Sequence, residues 1–197
     1  RNPLHFKFNK FFKQKNHRTI YMSCLQSLSG IAASCETNVG GIREVYIANY
    51  ADVTGVTVTS DQITAIAMAS AAKFKPYYFK KNTGSMTSTL NVDPANGINF
   101  VQTDLALTFA KQETAKRVEI AALSLGELAV IVKDSNNKYW YLGREEFVSA
   151  TAGAANTGTN RTDGNNYTIT LTDYSASYPY EILVGDSGVD LDTIVEF

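Results

Sequence analysis

The sequence contains little of the chemistry on which many enzymes depend. Among its 197 residues are only two histidines, two cysteines, four prolines and one tryptophan. Both histidines, His5 and His17, lie within the first 21 residues, so residues 22–197 contain none. This excludes Ser-His-Asp and Cys-His catalysis from that part of the chain. No phosphate-binding loop, dinucleotide fingerprint, zinc-protease or calcium-loop motif is present either.

The two cysteines predict no metal or redox chemistry. Cys24 and Cys35 have ten residues between them, a spacing that matches no zinc or redox motif. Without histidine they cannot complete a four-ligand zinc site unless carboxylates or other chains supply ligands. We therefore expect two thiols without a chemical role, no metal and no cofactor.

Long apolar runs are also missing. No stretch approaches the roughly 20 apolar residues of a membrane-spanning helix, so we expect no membrane span. The composition, 44% hydrophobic and 19% charged, is that of a globular protein.

The charge is unevenly distributed. The formal net charge is −1, but residues 1–21 carry six cations and no acid, which leaves residues 22–197 with a net charge of −7. Two interpretations stand: residues 1–21 are upstream sequence read in frame before Met22, or they are a basic arm. Lysines interrupt the apolar stretch that a secretory signal needs. Residues 22–197 are predicted to form one domain.

Strand patterns dominate, with a single helix. Residues 127–134 and 138–142 predict a hairpin. Residues 111–125 predict the helix, with Gly126 at its C-terminal cap. Residues 98–109 predict a long strand with a bulge or bend near residues 101–103. Further strands are predicted at residues 44–50, 56–58, 74–81, 86–92, 167–173 and 180–184, and residues 62–68 predict a strand or a short helix. Outside these elements we expect an arm at residues 23–41, a loop at 151–166, and a tail or edge strand at 185–197. Together they predict an α+β domain, mainly antiparallel β.

Paired carboxylates are the remaining enzymatic possibility. The available acids are Glu145, Glu146, Asp104, Asp173 and Glu181. Nothing in the sequence places two of them across a cleft, so we expect no catalytic residues and no enzyme.

Three other groups of residues resemble binding motifs, and for each of them we favour a structural role. Tyr77, Tyr78 and Phe79 lie among Lys73, Lys75, Lys80 and Lys81, and could stack single-stranded nucleic acid or form an edge strand guarded by lysines. We favour the edge strand because the net charge of −7 opposes a polyanion. Gly40-Gly41 and Thr83-Gly84-Ser85 resemble phosphate loops only weakly, and turns explain them.

Four segments resemble structural proteins of tailed bacteriophages, especially phages of gut Bacteroidetes. The segments are GGIREVYIANYADVTGV (40–56), KFKPYYFKKNTGSMTSTLN (73–91), LTFAKQETAKRVEIAALSLGELAVIVKDSNNKYWYLG (107–143) and YTITLTDYSASYPYEI (167–182). The order of the elements is similar to that of the phage tail-tube family: a β-sandwich or barrel with one flanking helix, an N-terminal arm and a long loop between strands.

The resemblance implies a virion structural protein without catalytic, cofactor or metal residues. It would assemble with itself in the host cytoplasm into rings, typically hexameric, that stack into a tail tube and contact other phage tail proteins. DNA would pass through without sequence-specific binding. The 151–166 loop and residues 23–41 would supply contacts between rings.

Two alternatives remain open. One is another phage component: a neck or tail-completion, baseplate or head-decoration subunit. The other is a carbohydrate-binding β-sandwich, in which Tyr139, Trp140 and Tyr141 supply a stacking platform. Because neighbouring strand residues alternate faces, at most two of these rings share a side, and we expect Trp140 to pack in the core.

Overall fold

The computed structural model describes residue 28, residues 30–185 and residues 188–196. The chain divides into two units, residues 1–36 and residues 37–197. The described residues of the first unit form no helix or strand, and Cys35 among them is a free, exposed thiol. The predictions for residues 1–21 and for Cys24 lie outside the described residues.

The second unit contains eleven described strands and two α-helices. In chain order they are β1 (Ile42–Asn49), a 3-10 turn (Tyr50–Asp52), β2 (Val53–Thr59), β3 (Gln62–Met68), β4 (Lys75–Tyr77), β5 (Gly84–Asp93), β6 (Ile98–Ala110), α1 (Thr114–Leu125), β7 (Leu128–Asp134), β8 (Tyr139–Leu142), β9 (Ser149–Asn156), β10 (Asn166–Ser175), β11 (Tyr180–Ile182) and α2 (Leu191–Ile194). Neither helix is long and apolar enough to cross a membrane, within the part of the chain described.

The strands form two sheets. The seven-stranded sheet has the order β2-β3-β11-β8-β7-β1-β4, and the four-stranded sheet has the order β5-β6-β10-β9. Every pair of neighbours is antiparallel except β11 and β3. The predicted α+β, mainly antiparallel fold is therefore confirmed. The described strands do not close into a barrel, so of the predicted sandwich or barrel the two-sheet arrangement is the one present.

One hydrophobic core lies between the two sheets. It contains Val45 and Ile47 from β1, Val130 and Val132 from β7, Leu105, Leu107 and Phe109 from β6, and Ile169 and Leu171 from β10. Leu123 of α1 packs against the same cluster. Burying each such side chain contributes about 1.5–3 kcal/mol of transfer free energy, so this core holds the two sheets face to face.

A second core covers the opposite face of the seven-stranded sheet. Strand residues alternate, so Tyr46 and Ile131 point away from the first core into the second. Here the sequence-based prediction of a tail or edge strand at residues 185–197 is wrong for the described residues. Leu191 and Ile194 are buried in the second core as part of α2, and the N–H of Phe74 donates to the Ile194 carbonyl at 2.8 Å. Burial of this apolar pair outweighs the acidity of the segment.

The helix predicted from residue 111 begins three residues later, at Thr114. Lys111 adopts a left-handed backbone conformation with φ of 66°. Its N–H donates to the carbonyl of Asn165 at 2.7 Å, and the N–H of Gln112 donates to the Asn165 side chain at 3.0 Å. The left-handed conformation of Lys111, held by the bond to Asn165, keeps the backbone out of helical geometry at this residue, so the helix cannot begin there.

The predicted bulge near residues 101–103 is absent from the described strand β6. Its register with β5 and with β10 continues without interruption through Val101 and Thr103. The apparent slip arises because Ile98 and Phe100 face the solvent side of the sheet, where the Phe100 ring lies 6.0 Å from that of Tyr174. Because apolar residues lie on both faces of β6, the sequence pattern resembles a change of register.

The loop predicted at residues 151–166 is also wrong. Residues 149–156 form strand β9 and residue 166 opens β10, which leaves residues 157–165 as the connection. Small residues such as Ala and Gly have low strand propensity, but pairing with β10 overrides it. In the connection, the Asp163 carboxylate accepts the N–H groups of Thr159 and Asn160 at 2.8 and 2.7 Å.

Candidate assembly surface

The four-stranded sheet has two open edges. Among the described residues, strand β9 is bonded to β10 on one side only, and its residues from Thr151 to Asn156 are exposed although α1 lies beside the strand. Within the same described part of the chain, strand β5 is bonded only to β6, and its alternate residues Ser85, Thr87 and Thr89 are exposed. An open edge presents unpaired backbone N–H and carbonyl groups that can accept another strand.

The two edges are complementary in direction. All neighbours in the order β5-β6-β10-β9 are antiparallel, so β5 and β9 run in opposite directions. Placing β9 of one copy beside β5 of another therefore makes one more antiparallel pair. Such an interface joins two different surfaces of the subunit, and it closes into a ring if the rotation between copies allows.

The solvent face of this sheet is almost uncharged. Its four strands contain no lysine or arginine, and their acids are Asp93, Asp104 and Asp173. Of these, Asp173 is buried. Asp104 accepts a hydrogen bond from Thr172 at 2.6 Å and from Gln102 at 3.0 Å. The face is otherwise lined mainly by small hydroxyl, amide and alanine side chains.

The hairpin formed by β5 and β6 exposes apolar side chains near its turn. Leu90 and Val92 lie on the core-facing side of the sheet, yet they are 46% and 57% exposed. We call these two residues the hairpin-tip patch. The turn beyond them is fixed by Asp93, whose carboxylate accepts the N–H of Ala95 at 3.0 Å and the Asn96 side chain at 2.6 Å.

A groove of about 450 Å³ separates α1 from the edge strand β4. Its lining consists of Pro76, Tyr77, Tyr78, Phe109, Ile120 and Leu123, with Lys75, Lys116 and Glu119 as the charged members. We call it the α1–β4 groove. Tyr77 donates a hydrogen bond to Glu119 across it, and the Tyr77 ring lies 6.4 Å from that of Phe109.

The aromatic and lysine cluster predicted from the sequence is divided by the fold. Tyr77 and Phe79 pack against the first core, whereas Tyr78 is 80% exposed. Lys75 and the other three lysines of the cluster are exposed. Pro76 lies in β4, at the edge of the seven-stranded sheet, as its missing N–H predicts. The structure thus bears out the lysine-guarded edge strand, although the strand covers only Lys75–Tyr77 of the predicted residues 74–81.

The three rings of β8 do not form one platform. Tyr141 is buried in the second core and Tyr139 packs beside it, while Trp140 packs against the first core. The indole N–H of Trp140 donates to the Asp134 carboxylate at 3.1 Å. The expectation that Trp140 packs in the core is confirmed.

Of the five candidate carboxylates, Glu145, Glu146 and Asp173 lie near one another, and Asp104 and Glu181 lie apart from them. Asp104 and Asp173 lie on opposite faces of the four-stranded sheet, and Glu181 pairs with Lys138 at 2.5 Å. Glu145 and Glu146 are near Asp173, and Glu145 accepts the N–H of Ala176 at 2.8 Å. Within the described residues, no three His, Cys, Asp or Glu side chains form a group that could hold a metal ion.

Asp173 has the most unusual environment of these acids. Its side chain is buried and accepts the N–H of Gly143 at 3.2 Å. Burial, together with repulsion from Glu145 and Glu146, raises the pKa of Asp173 to about 6. Gly143 has a φ of 88°, and a Cβ there would lie 3.0 Å from the Leu128 carbonyl oxygen, so this turn requires glycine.

Sequence reasoning missed the hairpin-tip patch and the α1–β4 groove. The tip had a readable signal, because Leu90 and Val92 directly precede the turn residues Asp93-Pro94. The groove had none, since β4 and α1 are distant in sequence. No protein-family model and no curated protein matches this chain.

Proposed function

We propose that this chain is a non-enzymatic structural subunit that assembles with itself into rings of the phage tail-tube type, which stack into a conduit for DNA. The observation that carries the proposal is the pair of open, oppositely directed edges on the four-stranded sheet. Repeated pairing of β9 with β5 of the next copy would extend the antiparallel sheet and remove both edges.

A closed ring would have a wide pore. Six copies would contribute about 24 strands, which at about 4.8 Å per strand give a circumference of about 115 Å and a backbone diameter of about 37 Å before strand tilt. Tilt widens a barrel further. Because each subunit keeps its core on the outside of such a ring, the solvent face of the four-stranded sheet would line the pore.

The chemistry of that face suits a DNA conduit. Proteins that bind DNA neutralise its phosphates with lysine and arginine, and the four strands have neither. The few carboxylates and the net charge of −7 over residues 22–197 would repel a passing polyanion. DNA could therefore move through without being held.

The test is assembly of the full chain with one edge blocked. We expect the wild-type chain to give rings or hollow filaments in light scattering and negative-stain electron microscopy. Ala154 is an exposed residue of β9, and the Ala154→Lys variant places a cation on the edge strand, which opposes strand addition. We expect that variant to remain monomeric.

The matched control is Ala115→Lys, the same substitution at an exposed position of α1. It should assemble as the wild type does. Wild-type assembly by the Ala154→Lys variant would show that β9 is not the joining edge. A wild-type chain that stays monomeric at high concentration would instead favour another virion component or a glycan-binding module.

A further inference from the structure

One face of the four-stranded sheet has the exposed hairpin-tip patch at one end and the apolar α1–β4 groove at the other. Leu90 pairs with Val101, so the hairpin-tip patch lies on the core-facing side of the sheet. Phe109, which lines the α1–β4 groove, lies on the same side at the other end of β6. Residues along a strand advance about 3.3 Å each, so Val101 and Phe109 are about 26 Å apart.

The two surfaces also have matching chemistry. The tip offers the aliphatic side chains of Leu90 and Val92, and the groove offers aromatic and aliphatic walls with a volume of about 450 Å³. That volume is typical of clefts that bury an apolar occupant. Leu90 and Val92 are alternate residues on one face of β5, so their exposed side chains lie next to each other and form one small apolar surface.

Their charges are opposite. Asp93 is the one charged residue between positions 84 and 103, and hydrogen bonds from Asn96 and Ala95 lower its pKa and keep it ionised. On the groove side, Lys75 is exposed and makes no ion pair with any described residue, and three more exposed lysines lie within residues 73–81. Such complementarity steers association and fixes its register.

We propose that the hairpin tip of one copy docks into the α1–β4 groove of a second copy. A tip cannot reach the groove of its own chain, because Val101, the partner of Leu90, and Phe109 of the groove lie about 26 Å apart along the same strand β6. A second copy displaced along the strand direction brings the two surfaces together. The contact is head-to-tail, so it repeats from copy to copy.

This contact would stack the rings of the proposed assembly on one another. Its role in stacking rests on the proposed function, because that proposal supplies the rings. In a ring closed by β9–β5 pairing, the tips project from one rim and the grooves open towards the other. Lateral pairing uses backbone groups of the sheet edges, whereas stacking uses side chains of the tip and the groove. The two interfaces are therefore separable by mutation.

Disulfide trapping tests the contact directly. Val92→Cys and Tyr78→Cys are made separately in full chains that also carry Cys24→Ser and Cys35→Ser, and the two proteins are mixed under mild oxidation. We expect a mixed disulfide between the two species, seen by mass spectrometry. The control replaces Val92→Cys with Thr87→Cys, an exposed residue on the other face of β5, which should give at least tenfold less product. The proposal would be overturned if Val92→Cys gave no mixed disulfide, or only as much as Thr87→Cys gives.

Microscopy separates this proposal from the ring proposal. Leu90→Thr with Val92→Thr keeps strand-forming residues at exposed positions, and circular dichroism confirms the fold. Single rings from this variant, with stacked tubes from the wild type, support tip docking. Stacked tubes from the variant refute it and leave the rings intact. If the wild type forms no rings but the disulfide forms, the ring proposal fails and tip docking stands.

Discussion

The hydroxyl of Tyr77 on the edge strand β4 donates a hydrogen bond to the carboxylate of Glu119 on α1. Burial and this bond raise the pKa of Tyr77 above its ordinary value. The bond spans the α1–β4 groove and joins the sole long helix of the described chain to the sheet edge. It therefore fixes the distance between the two walls of the groove.

Tyr77→Phe should loosen this connection. We expect the free energy of unfolding in urea to fall by about 1 kcal/mol, the usual net value of one hydrogen bond, and α1 amides to exchange hydrogen faster. The control, Tyr78→Phe, removes the hydroxyl of the exposed neighbour and should change neither quantity. Equal effects from both variants would show that the bond to Glu119 does not hold the helix.

Asp173 should make the protein less stable as pH rises from about 4 to about 6. Its carboxyl has a pKa of about 6 in the folded chain, above the value of about 3.9 in an unfolded one. The folded state thus binds the proton more tightly than the unfolded state does. The stability that results is fully present below about pH 4 and is lost above about pH 6. Asp173→Asn removes the charge, so we expect it to raise the free energy of unfolding at pH 8 by up to about 3 kcal/mol. At pH 4 we expect a smaller increase.

Asp163 provides a control of opposite sign. Backbone N–H groups of Asn160 and Thr159 lower the pKa of Asp163, so its ionised form stabilises the fold at neutral pH. Asp163→Asn should lower the melting temperature at pH 8 and lower it less at pH 3, because the stabilisation by the ionised form is lost as pH falls through the lowered pKa. If thermal melts from pH 3 to pH 8 show the same profile for wild type and Asp173→Asn, burial does not shift the Asp173 titration.

Much of the fold was predictable because local patterns and tertiary burial agree. Residues 128–142 form the hairpin β7–β8, and the alternation in residues 167–173 falls within β10. Where they disagree, prediction failed. The segment Ala152–Ala155 has the composition of a loop, and only the adjacent strand β10 makes it a strand. Similarly, the helix start is displaced at Lys111, whose left-handed backbone is bonded to the distant residue Asn165.

The candidate surfaces depend even more on long-range contacts. The pattern of β5 and β6 predicts two strands, but which ones lie at an open edge follows only from the sheet order. The α1–β4 groove combines Tyr77 with Ile120, which are distant in sequence. No local pattern encodes such a pairing, so the sequence could predict the elements and not the surfaces that they build.

Tyr141→Phe should be neutral or stabilising by up to about 1 kcal/mol, because a buried polar group without a hydrogen bond costs free energy. Among the described residues, the Tyr141 hydroxyl is a buried side-chain atom with no hydrogen-bond partner. Tyr46→Phe is the matched contrast, since the Tyr46 hydroxyl donates to Glu44 at 2.5 Å, and it should destabilise. Chemical unfolding of both variants checks the prediction, which is wrong if Tyr141→Phe costs as much as Tyr46→Phe.

A cation on the solvent face of the four-stranded sheet should convert an indifferent surface into one that binds DNA. Thr170 lies on this face in the central strand β10, opposite Ala106. In an assembled ring, Thr170→Lys would place one cation per subunit in the pore, and neutralised phosphates release counterions. Fluorescence anisotropy with a labelled duplex should show binding that weakens steeply with salt, against none for the wild type.

Thr57→Lys supplies the control, because it adds the same charge at an exposed position of β2 in the other sheet. It should leave the anisotropy unchanged at every salt concentration. Equal DNA binding by the two variants would mean that the added charge acts from any surface and that the β10 face does not line a pore. Binding confined to Thr170→Lys assemblies would tie that face to the interior of the ring.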